Sequence, residues 1–141
     1  MPPRAVIDTN ENIRMAARDA SPAREAWAAG RFEWITSDGL TDEFVEVSSR
    51  VRVRRYLTPE RAALFVNLIR TRATLVVPAV ETPPCRDPKD ATLIGTAIAG
   101  EVDYLVTSDK DLLDDPALRD ALTARGIEVI TADKFWRSLS I

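Results

Sequence analysis

Carboxylates are the side chains with which this chain could do chemistry. Five of them follow a short apolar run or lie early in the segment after it: Asp8, Glu43, Asp87, Asp90 and Asp109. Taken one at a time, each is explained as a helix cap, a turn residue or a solvated helix residue. Gathered at one place they would repel each other, and a hard divalent cation such as Mg²⁺ or Mn²⁺ is the natural reason to gather them.

The composition excludes several other chemistries. Among 141 residues there is no histidine and a single cysteine, Cys85, so Ser-His-Asp and Cys-His catalysis, His-containing zinc sites and an internal disulfide are ruled out. The 22 acidic residues against 19 basic ones give a net charge of −3, which argues weakly against a protein that coats nucleic acid non-specifically. No apolar run is long enough for a membrane span or a signal peptide. With one cysteine, we expect a cytoplasmic protein made of one domain over residues 1–141.

The apolar runs predict five short strands, several of them β-branched and apolar throughout, as expected of strands buried on both faces. They cover residues 5–7, 32–35, 74–77, 104–107 and 128–130. Between them lie signals for helices from Ser21-Pro22 to Gly30, over 37–51, from Thr58-Pro59, over 87–100 and from Thr131. Alternating strands and helices indicate an α/β fold with a mainly parallel sheet.

Such a sheet would bring the five carboxylates together, because the carboxyl ends of its strands share one edge, where ligands bind. Asp8 ends the first strand and Asp109 follows the fourth. Asp87 and Asp90 begin the helix after the third strand, and Glu43 lies early in the helix after the second. We therefore expect a divalent-metal site at this edge.

Glu43 is one of three acidic residues in the helix predicted over 37–51. The apolar stripe of that helix consists of Leu40, Phe44, Val47 and Val51. At about 100° per residue, Glu43 lies about 70° from the centre of the stripe, whereas Asp42 and Glu46 lie more than about 130° away. We therefore expect Glu43 to flank the core and the other two residues to face water.

The densest basic run follows the same helix. It contains Arg50, Arg52, Arg54, Arg55 and the aromatic Tyr56. These arginines could bind backbone phosphates of a nucleic acid, with Tyr56 available for stacking. Two other interpretations stay open: a solvated helix end whose arginines complement the helix dipole, and a binding surface for an acidic protein segment.

Four segments occur in a characteristic order and spacing: residues 6–10 (VIDTN), residues 29–33 (AGRFE) followed by Ser37 and Glu43, residues 85–90 (CRDPKD) and residues 103–113 (DYLVTSDKDLL). In these segments the chain resembles the PIN-domain (PilT N-terminal) family, and specifically its branch of toxin components from toxin–antitoxin systems. The resemblance runs over nearly the whole chain. Each segment alone is short, and the specificity lies in finding all four in order.

The resemblance implies a three-layer α/β/α sandwich around a central, mainly parallel five-stranded sheet. It implies a metal-dependent endoribonuclease that hydrolyses RNA phosphodiesters with one or two Mg²⁺ or Mn²⁺ ions. The catalytic and metal-binding acids would be Asp8, Glu43, Asp90 and Asp109, with Asp87 and Asp111 as additional ligands and with Asn10 and Thr107 orienting ligands. A cognate antitoxin and a homodimer through the apolar faces of the second and third helices are implied as partners.

One departure from the family pattern falls directly after Asn10. Relatives continue the first segment with apolar residues, whereas this chain has Glu11 and Asn12. Either Glu11 adds a carboxylate to the site, or the first helix is shortened or frayed. Two alternative functions also stay open: a non-catalytic PIN-like protein that binds RNA or an antitoxin, and a nuclease that acts on single-stranded or structured DNA.

Overall fold

The central feature of the computed structural model, which describes residues 1–18 and 21–139, is a sheet of five parallel strands. The strands are β1 Arg4–Ile7, β2 Glu33–Thr36, β3 Thr74–Leu75, β4 Tyr104–Val106 and β5 Glu128–Ile130. Their order across the sheet is β3-β2-β1-β4-β5. The predicted α/β fold with a parallel sheet is confirmed.

Helices cover both faces of this sheet. Within the described residues they are α1 Thr9–Ala17, α2 Pro22–Ala28, α3 Asp38–Ser48, α4 Val51–Arg54, α5 Pro59–Arg72, α6 Ala91–Ala99, α7 Lys110–Leu113, α8 Pro116–Thr123 and α9 Ala132–Leu139. A turn of 3₁₀ helix, Pro88–Asp90, directly precedes α6. In the part of the chain that the structure describes, every helix falls short of the length and apolar content needed to cross a membrane.

The sheet separates two hydrophobic cores, because successive side chains of a strand point to opposite faces. In β1, Ile7 belongs to the core that is covered mainly by α1, α2, α5 and α9, and Val6 belongs to the core under α6 and α8. The first core is aromatic: the rings of Phe32 and Phe135 meet edge to face with centroids 5.3 Å apart. Two cores on two faces make the three-layer sandwich that the family resemblance implies.

Two helices begin where capping signals predict. Ser21 Oγ accepts a hydrogen bond from the Arg24 backbone N–H (3.4 Å), and Thr58 Oγ1 accepts one from the Arg61 backbone N–H (3.2 Å). Each cap is followed by a proline at the first helical position, where the missing N–H is not needed. The predicted starts of α2 and α5 are therefore confirmed.

Three predicted boundaries are wrong. The helix expected over residues 37–51 ends at Ser48, and the short helix α4 starts at Val51, whose side chain is 78% exposed and leaves the apolar stripe. The third strand is two residues long instead of four, although the Val76 N–H still donates to the Thr36 carbonyl (2.9 Å). The helix expected over 87–100 opens as the 3₁₀ turn and becomes α-helical only from Ala91.

Candidate functional site

The strand order places a switch point between β1 and β4. From β1 the chain moves outward to β2 and β3, then returns to add β4 and β5 on the other side of β1. At such a point the connections leave in opposite directions and open a crevice at the carboxyl edge of the sheet. Asp8 directly follows β1, and Thr107 directly follows β4, so both flank this crevice.

Asp8 is held on both of its carboxylate oxygens. Its Oδ1 accepts from the Glu11 backbone N–H (3.1 Å), which makes Asp8 the N-cap of α1, and its Oδ2 accepts from the Thr107 hydroxyl. The Thr107 Oγ1 in turn accepts from the Asp109 backbone N–H (3.0 Å). Thr107 is fully buried, so it fixes Asp8 and Asp109 relative to each other across the switch point.

Burial raises the pKa of the Asp8 carboxyl above its ordinary value. The hydrogen bonds from Thr107 and from the Glu11 backbone lower this pKa, and the charges of Glu11 and Asp109 raise it. The net effect is a raised pKa, so ionisation of the Asp8 carboxyl costs free energy unless a cation lies nearby.

Asp90 lies where the 3₁₀ turn passes into α6. It occupies the N-cap position of α6, yet its side chain makes no capping hydrogen bond. Its Oδ2 is buried and has no hydrogen-bond partner among the described residues. Burial, followed by the charges of neighbouring carboxylates, raises the pKa of Asp90 to about 6; these neighbours are Asp109, Asp87, Asp111 and Asp8. A buried oxygen without a donor, amid like charges, is the feature that a bound cation would relieve.

Asp109 and Asp87 complete the acidic group in the same local way. Asp109 Oδ1 accepts from the Asp111 backbone N–H (2.9 Å), and Asp87 Oδ1 accepts from the Lys89 backbone N–H (3.0 Å). Each carboxylate is oriented by its own turn and keeps its second oxygen for another partner. No lysine or arginine of the described residues forms an ion pair with Asp8, Asp90 or Asp109.

Cys85 lies in the negative field of this group. Burial, then the charges of Asp90, Asp87 and Asp115, raise the pKa of the Cys85 thiol. Its Sγ donates to the Asp87 carbonyl (3.2 Å). A thiol in such surroundings stays protonated and is a poor nucleophile.

Glu43 differs from the other predicted acids. It is exposed on α3, as are Asp42 and Glu46, so the expectation that Glu43 alone flanks the core is wrong. The missing apolar end of the stripe explains the error, because α3 stops before Val51. One turn before Glu43, a Cβ at Gly39 would lie 3.0 Å from the Thr92 methyl, so this face of α3 borders the start of α6. Glu43 therefore stands at the rim on the side of Asp90, outside the charges that act on Asp8 and Asp90.

The acidic group fits a divalent cation in its chemistry. All of its donors are oxygens, as Mg²⁺ and Mn²⁺ prefer, and the Asp90 Oδ2 lacks a partner. Across residues 1–18 and 21–139, no three or more Asp, Glu, Cys or His side chains stand together as a ready-made metal cage. Mg²⁺ does not require one, because it is usually held by one or two carboxylates together with water and substrate phosphates.

The unusual residues after Asn10 do not disturb the first helix. Asn10 is exposed on α1, which runs unbroken from Thr9 to Ala17, so α1 is neither shortened nor frayed. Glu11 is 5% exposed and its charge acts on Asp8, and its Oε1 binds the Arg14 Nη1 (2.8 Å). Only the i, i+3 spacing of Glu11 and Arg14 could have indicated this ion pair in advance.

The basic run divides into two parts. Arg50 is bound by both oxygens of Glu46, with Nη2–Oε2 2.8 Å and Nε–Oε1 3.2 Å. Arg52, Arg54 and Arg55 are exposed and have no ion pair or side-chain hydrogen bond within the described residues. Arg50 is therefore paired with Glu46 at the surface, whereas Arg52, Arg54 and Arg55 have no such partner among the described residues.

These observations define an α/β protein with a carboxylate group at the switch point of a parallel sheet. A sequence model of the PIN domain matches residues 4–111, which is well over half of the chain, and the chain therefore belongs to the PIN-domain family. The match ends at Asp111 and includes every acidic residue of the site. PIN domains are typically nucleases that use divalent metals. A comparison with curated proteins found no match.

Proposed function

We propose that this protein is a metal-dependent endoribonuclease and the toxin of a toxin–antitoxin pair. One observation carries the proposal: the buried, unpartnered Oδ2 of Asp90 among the carboxylates at the switch point of a PIN domain. The charges of neighbouring carboxylates act on Asp90, and no lysine or arginine of the described residues pairs with Asp8, Asp90 or Asp109. A divalent cation and the phosphate of a nucleic acid would supply what is missing.

Each acid has a distinct part in this proposal. Asp8, Asp90 and Asp109 hold one or two Mg²⁺ or Mn²⁺ ions, and Asp87 and Asp111 are outer ligands. When bound, such an ion stabilises charge on the phosphodiester and makes water a nucleophile at neutral pH.

Two further residues support these ligands. Thr107 keeps Asp8 in one rotamer through its hydroxyl. Glu43, at the rim, orients the attacking water and accepts its proton, because the chain has no histidine to do so.

The RNA is held outside the acidic group. Arg52, Arg54 and Arg55 bind backbone phosphates, and Tyr56, which is 54% exposed, is available for stacking on a base. Arg50 contributes less than these three, because two of its N–H groups already bind Glu46. The arginine-rich surface is also where an acidic antitoxin segment would bind and block the site.

A homodimer and a cytoplasmic location complete the proposal. Apolar side chains that are exposed on three consecutive helices support a self-association surface; they are Val45 on α3, Val51 on α4 and Leu64 on α5. The cytoplasm is where RNA is abundant and where a single free thiol is stable.

The test is cleavage of a mixed pool of structured RNA, unstructured RNA and single-stranded DNA. Wild type is assayed with Mn²⁺, with Mg²⁺ and with EDTA, beside the double variant Asp8→Asn, Asp90→Asn. Asp103→Asn, at the opposite edge of the sheet, is the matched control. We expect metal-dependent cleavage of RNA that is lost in the double variant and kept in the control. Cleavage restricted to DNA would assign the other substrate, and cleavage that survives in the double variant would contradict the assigned acids.

A non-catalytic RNA-binding function is the second candidate. The observation that favours it is the position of Glu43, which is exposed and stands apart from the acids around Asp90. Calorimetry with Mn²⁺ separates the two candidates, because a non-catalytic protein has no need of the ion. Heat of Mn²⁺ binding that disappears in the double variant would support the nuclease.

A further inference from the structure

A cavity of about 320 Å³ opens beside the acidic group at the carboxyl edge of the sheet. Residues that follow β1, β4 and β5 line it, including Glu11, Arg14, Arg18, Ser108, Thr131 and Trp136. Its volume lies within the range of pockets that take small organic ligands. None of these six residues is a proposed metal ligand.

The cavity shares a wall with the carboxylates. Ser108 stands between Thr107, which binds Asp8, and Asp109. On the facing side, the Glu11 N–H donates to Asp8 Oδ1 (3.1 Å) while the rest of Glu11 lines the cavity. A group seated in the cavity is therefore next to anything held by Asp8 and Asp109.

Two arginines give this cavity a positive side at an otherwise acidic edge. Glu11 is buried, and it holds the Arg14 guanidinium through one nitrogen while 60% of the Arg14 side chain stays exposed. A guanidinium has five N–H donors, so Arg14 keeps donors for a ligand. Arg18 also lines the cavity, and its guanidinium has no ion pair within residues 1–18 and 21–139. Among the described residues of the wall, the acid other than Glu11 is Asp133, which is bound to Arg137 (2.6 Å).

An aromatic side chain also lines the cavity. Trp136 is half-buried, and its ring packs against Phe135 with centroids 4.8 Å apart. Met15 is another apolar member of the lining. An indole and guanidinium groups in one cavity suit a base and its phosphate, because single-stranded RNA is recognised by stacking of splayed bases and by arginine.

We propose that this cavity binds the nucleotide adjacent to the cleaved phosphodiester, an inference that rests on the proposed nuclease function. Arg14 and Arg18 bind the phosphate of that nucleotide, and its base lies against Trp136 and Met15. Glu11 is a positioning residue that holds Arg14. The departure from the family pattern at Glu11 is thereby explained as part of a substrate site and not as an extra metal ligand.

Binding of single nucleotides tests the proposal without any cleavage. The four ribonucleoside 5′-monophosphates are titrated separately into protein in EDTA, and the tryptophan indole N–H signals are followed by NMR. The chain has three tryptophans, and Trp136→Phe identifies the signal of Trp136. We expect at least one nucleotide to shift the Trp136 signal at millimolar concentration. An unmoved Trp136 signal with all four nucleotides would overturn the proposal.

Arginine variants show whether the cavity is responsible for that shift. Arg14→Ala with Arg18→Ala is expected to weaken binding about tenfold, which is the effect of losing one or two charge-assisted hydrogen bonds to phosphate. Arg125→Ala removes an exposed arginine at the amino end of β5, on the opposite edge, and is expected to leave the affinity unchanged. Equal affinities in the double variant and in Arg125→Ala would contradict the assignment.

The part of Glu11 is tested by coupling. Glu11→Gln is expected to weaken nucleotide binding about threefold in the wild type and to have no effect when Arg14 is alanine, since it acts through Arg14. An equal loss of nucleotide affinity in both backgrounds would show that Glu11 does not act through Arg14.

Kinetics separate failure of this proposal from failure of the proposed function. Loss of Arg14 and Arg18 should raise the KM for RNA and leave kcat nearly unchanged. RNA cleavage with a wild-type KM in that variant would overturn the nucleotide site and keep the nuclease. Nucleotide binding by a protein that cleaves no RNA with Mn²⁺ would keep the site and overturn the nuclease.

Discussion

The two edges of the sheet treat their acidic residues in opposite ways. At the amino edge, the Arg4 Nε binds Glu33 (3.2 Å), and the Arg4 backbone N–H donates to Asp103 (2.8 Å). At the carboxyl edge, Asp8 and Asp90 lie among other carboxylates, and burial and like charges raise their pKa values. The acids of the amino edge are paired with Arg4, whereas the buried Oδ2 of Asp90 at the carboxyl edge has no hydrogen-bond partner among the described residues.

The largest difference between the edges is expected in catalysis. Asp109→Asn should lower kcat/KM for RNA cleavage with Mn²⁺ by about 100-fold or more, because it would weaken the binding of the ion that stabilises charge on the phosphate. Asp103→Asn, at the amino edge, should stay within about twofold of wild type because it changes the charge far from the crevice. Circular dichroism checks that both variants are folded. A similar loss of activity in both variants would erase the distinction between the edges.

The next difference is expected in the response to metal. Mn²⁺ at about ten times its Kd should raise the free energy of unfolding by about 1.4 kcal/mol at pH 7. That gain corresponds to about 3–6 °C in Tm, measured against EDTA by differential scanning fluorimetry. Asp90→Asn should lose the gain and Asp103→Asn should keep it. Equal melting temperatures of the wild type in Mn²⁺ and in EDTA would contradict the binding of Mn²⁺ to the folded protein.

Without metal, the carboxylate of Asp90 is expected to lower the free energy of unfolding, by less than bound Mn²⁺ raises it. The pKa of Asp90 is about 6 in the folded protein against 3.8 ordinarily, so between these values the folded state binds more protons than the unfolded chain. The free energy of unfolding therefore falls as pH rises through this window, and the stabilisation present below pH 3.8 is lost above pH 6.

Asn at position 90 cannot ionise, so Asp90→Asn in EDTA should be more stable than wild type above pH 6. The gain should be about 1 kcal/mol, less than the full pKa shift would give because the carboxyl is partly solvated. Urea unfolding at pH 5 and pH 8 measures it, and the advantage should shrink at the lower pH. A variant less stable than wild type at pH 8 would show that Asp90 has a favourable partner in the metal-free fold.

The smallest effect is expected at the amino edge. Glu33→Gln breaks the ion pair with Arg4, in which both side chains are more than a third exposed. Exposed pairs contribute little, so the free energy of unfolding should fall by less than about 1 kcal/mol, and less still in high salt. Urea unfolding at low and high salt measures it. A loss of about 1.4 kcal/mol, equal to the gain expected from Mn²⁺, would mean that the Arg4–Glu33 ion pair stabilises the fold as much as the metal does.

Much of the fold could be predicted because local signals and tertiary structure agree. Runs such as residues 104–107 and 128–130 are apolar because both faces of each strand are buried, and the proline caps at Ser21 and Thr58 fix where helices begin. The break between α3 and α4 could not be predicted, since Ser49 and Arg50 carry no glycine or proline signal. The ion pair of Glu46 with Arg50 and the exposure of Val51 depend on the folded backbone and not on a local pattern.

For the candidate site, the sequence predicts the positions of the acids but not their surroundings. The positions of Asp8 and Asp109 follow from strand ends, since the chain must bring those ends to one edge. The depth of burial of Asp90 and the pairing of Glu11 with Arg14 depend on side chains from several elements, which no spacing rule contains. The roles of these residues stay predictions for the experiments above.

The bond between Thr107 and Asp8 joins residues that are 99 positions apart in the chain. The segments that form β2, β3 and α6 lie between these two residues in the chain, so the contact closes a long loop, and closing a long loop costs chain entropy. A nascent chain that has made only its first hundred residues carries Asp8 and Asp90 but has no Thr107 to fix the first and no Asp109 beside the second. The pairing of β4 with β1 is thus the contact that completes the acidic group, since it brings Thr107 and Asp109 to Asp8 and Asp90.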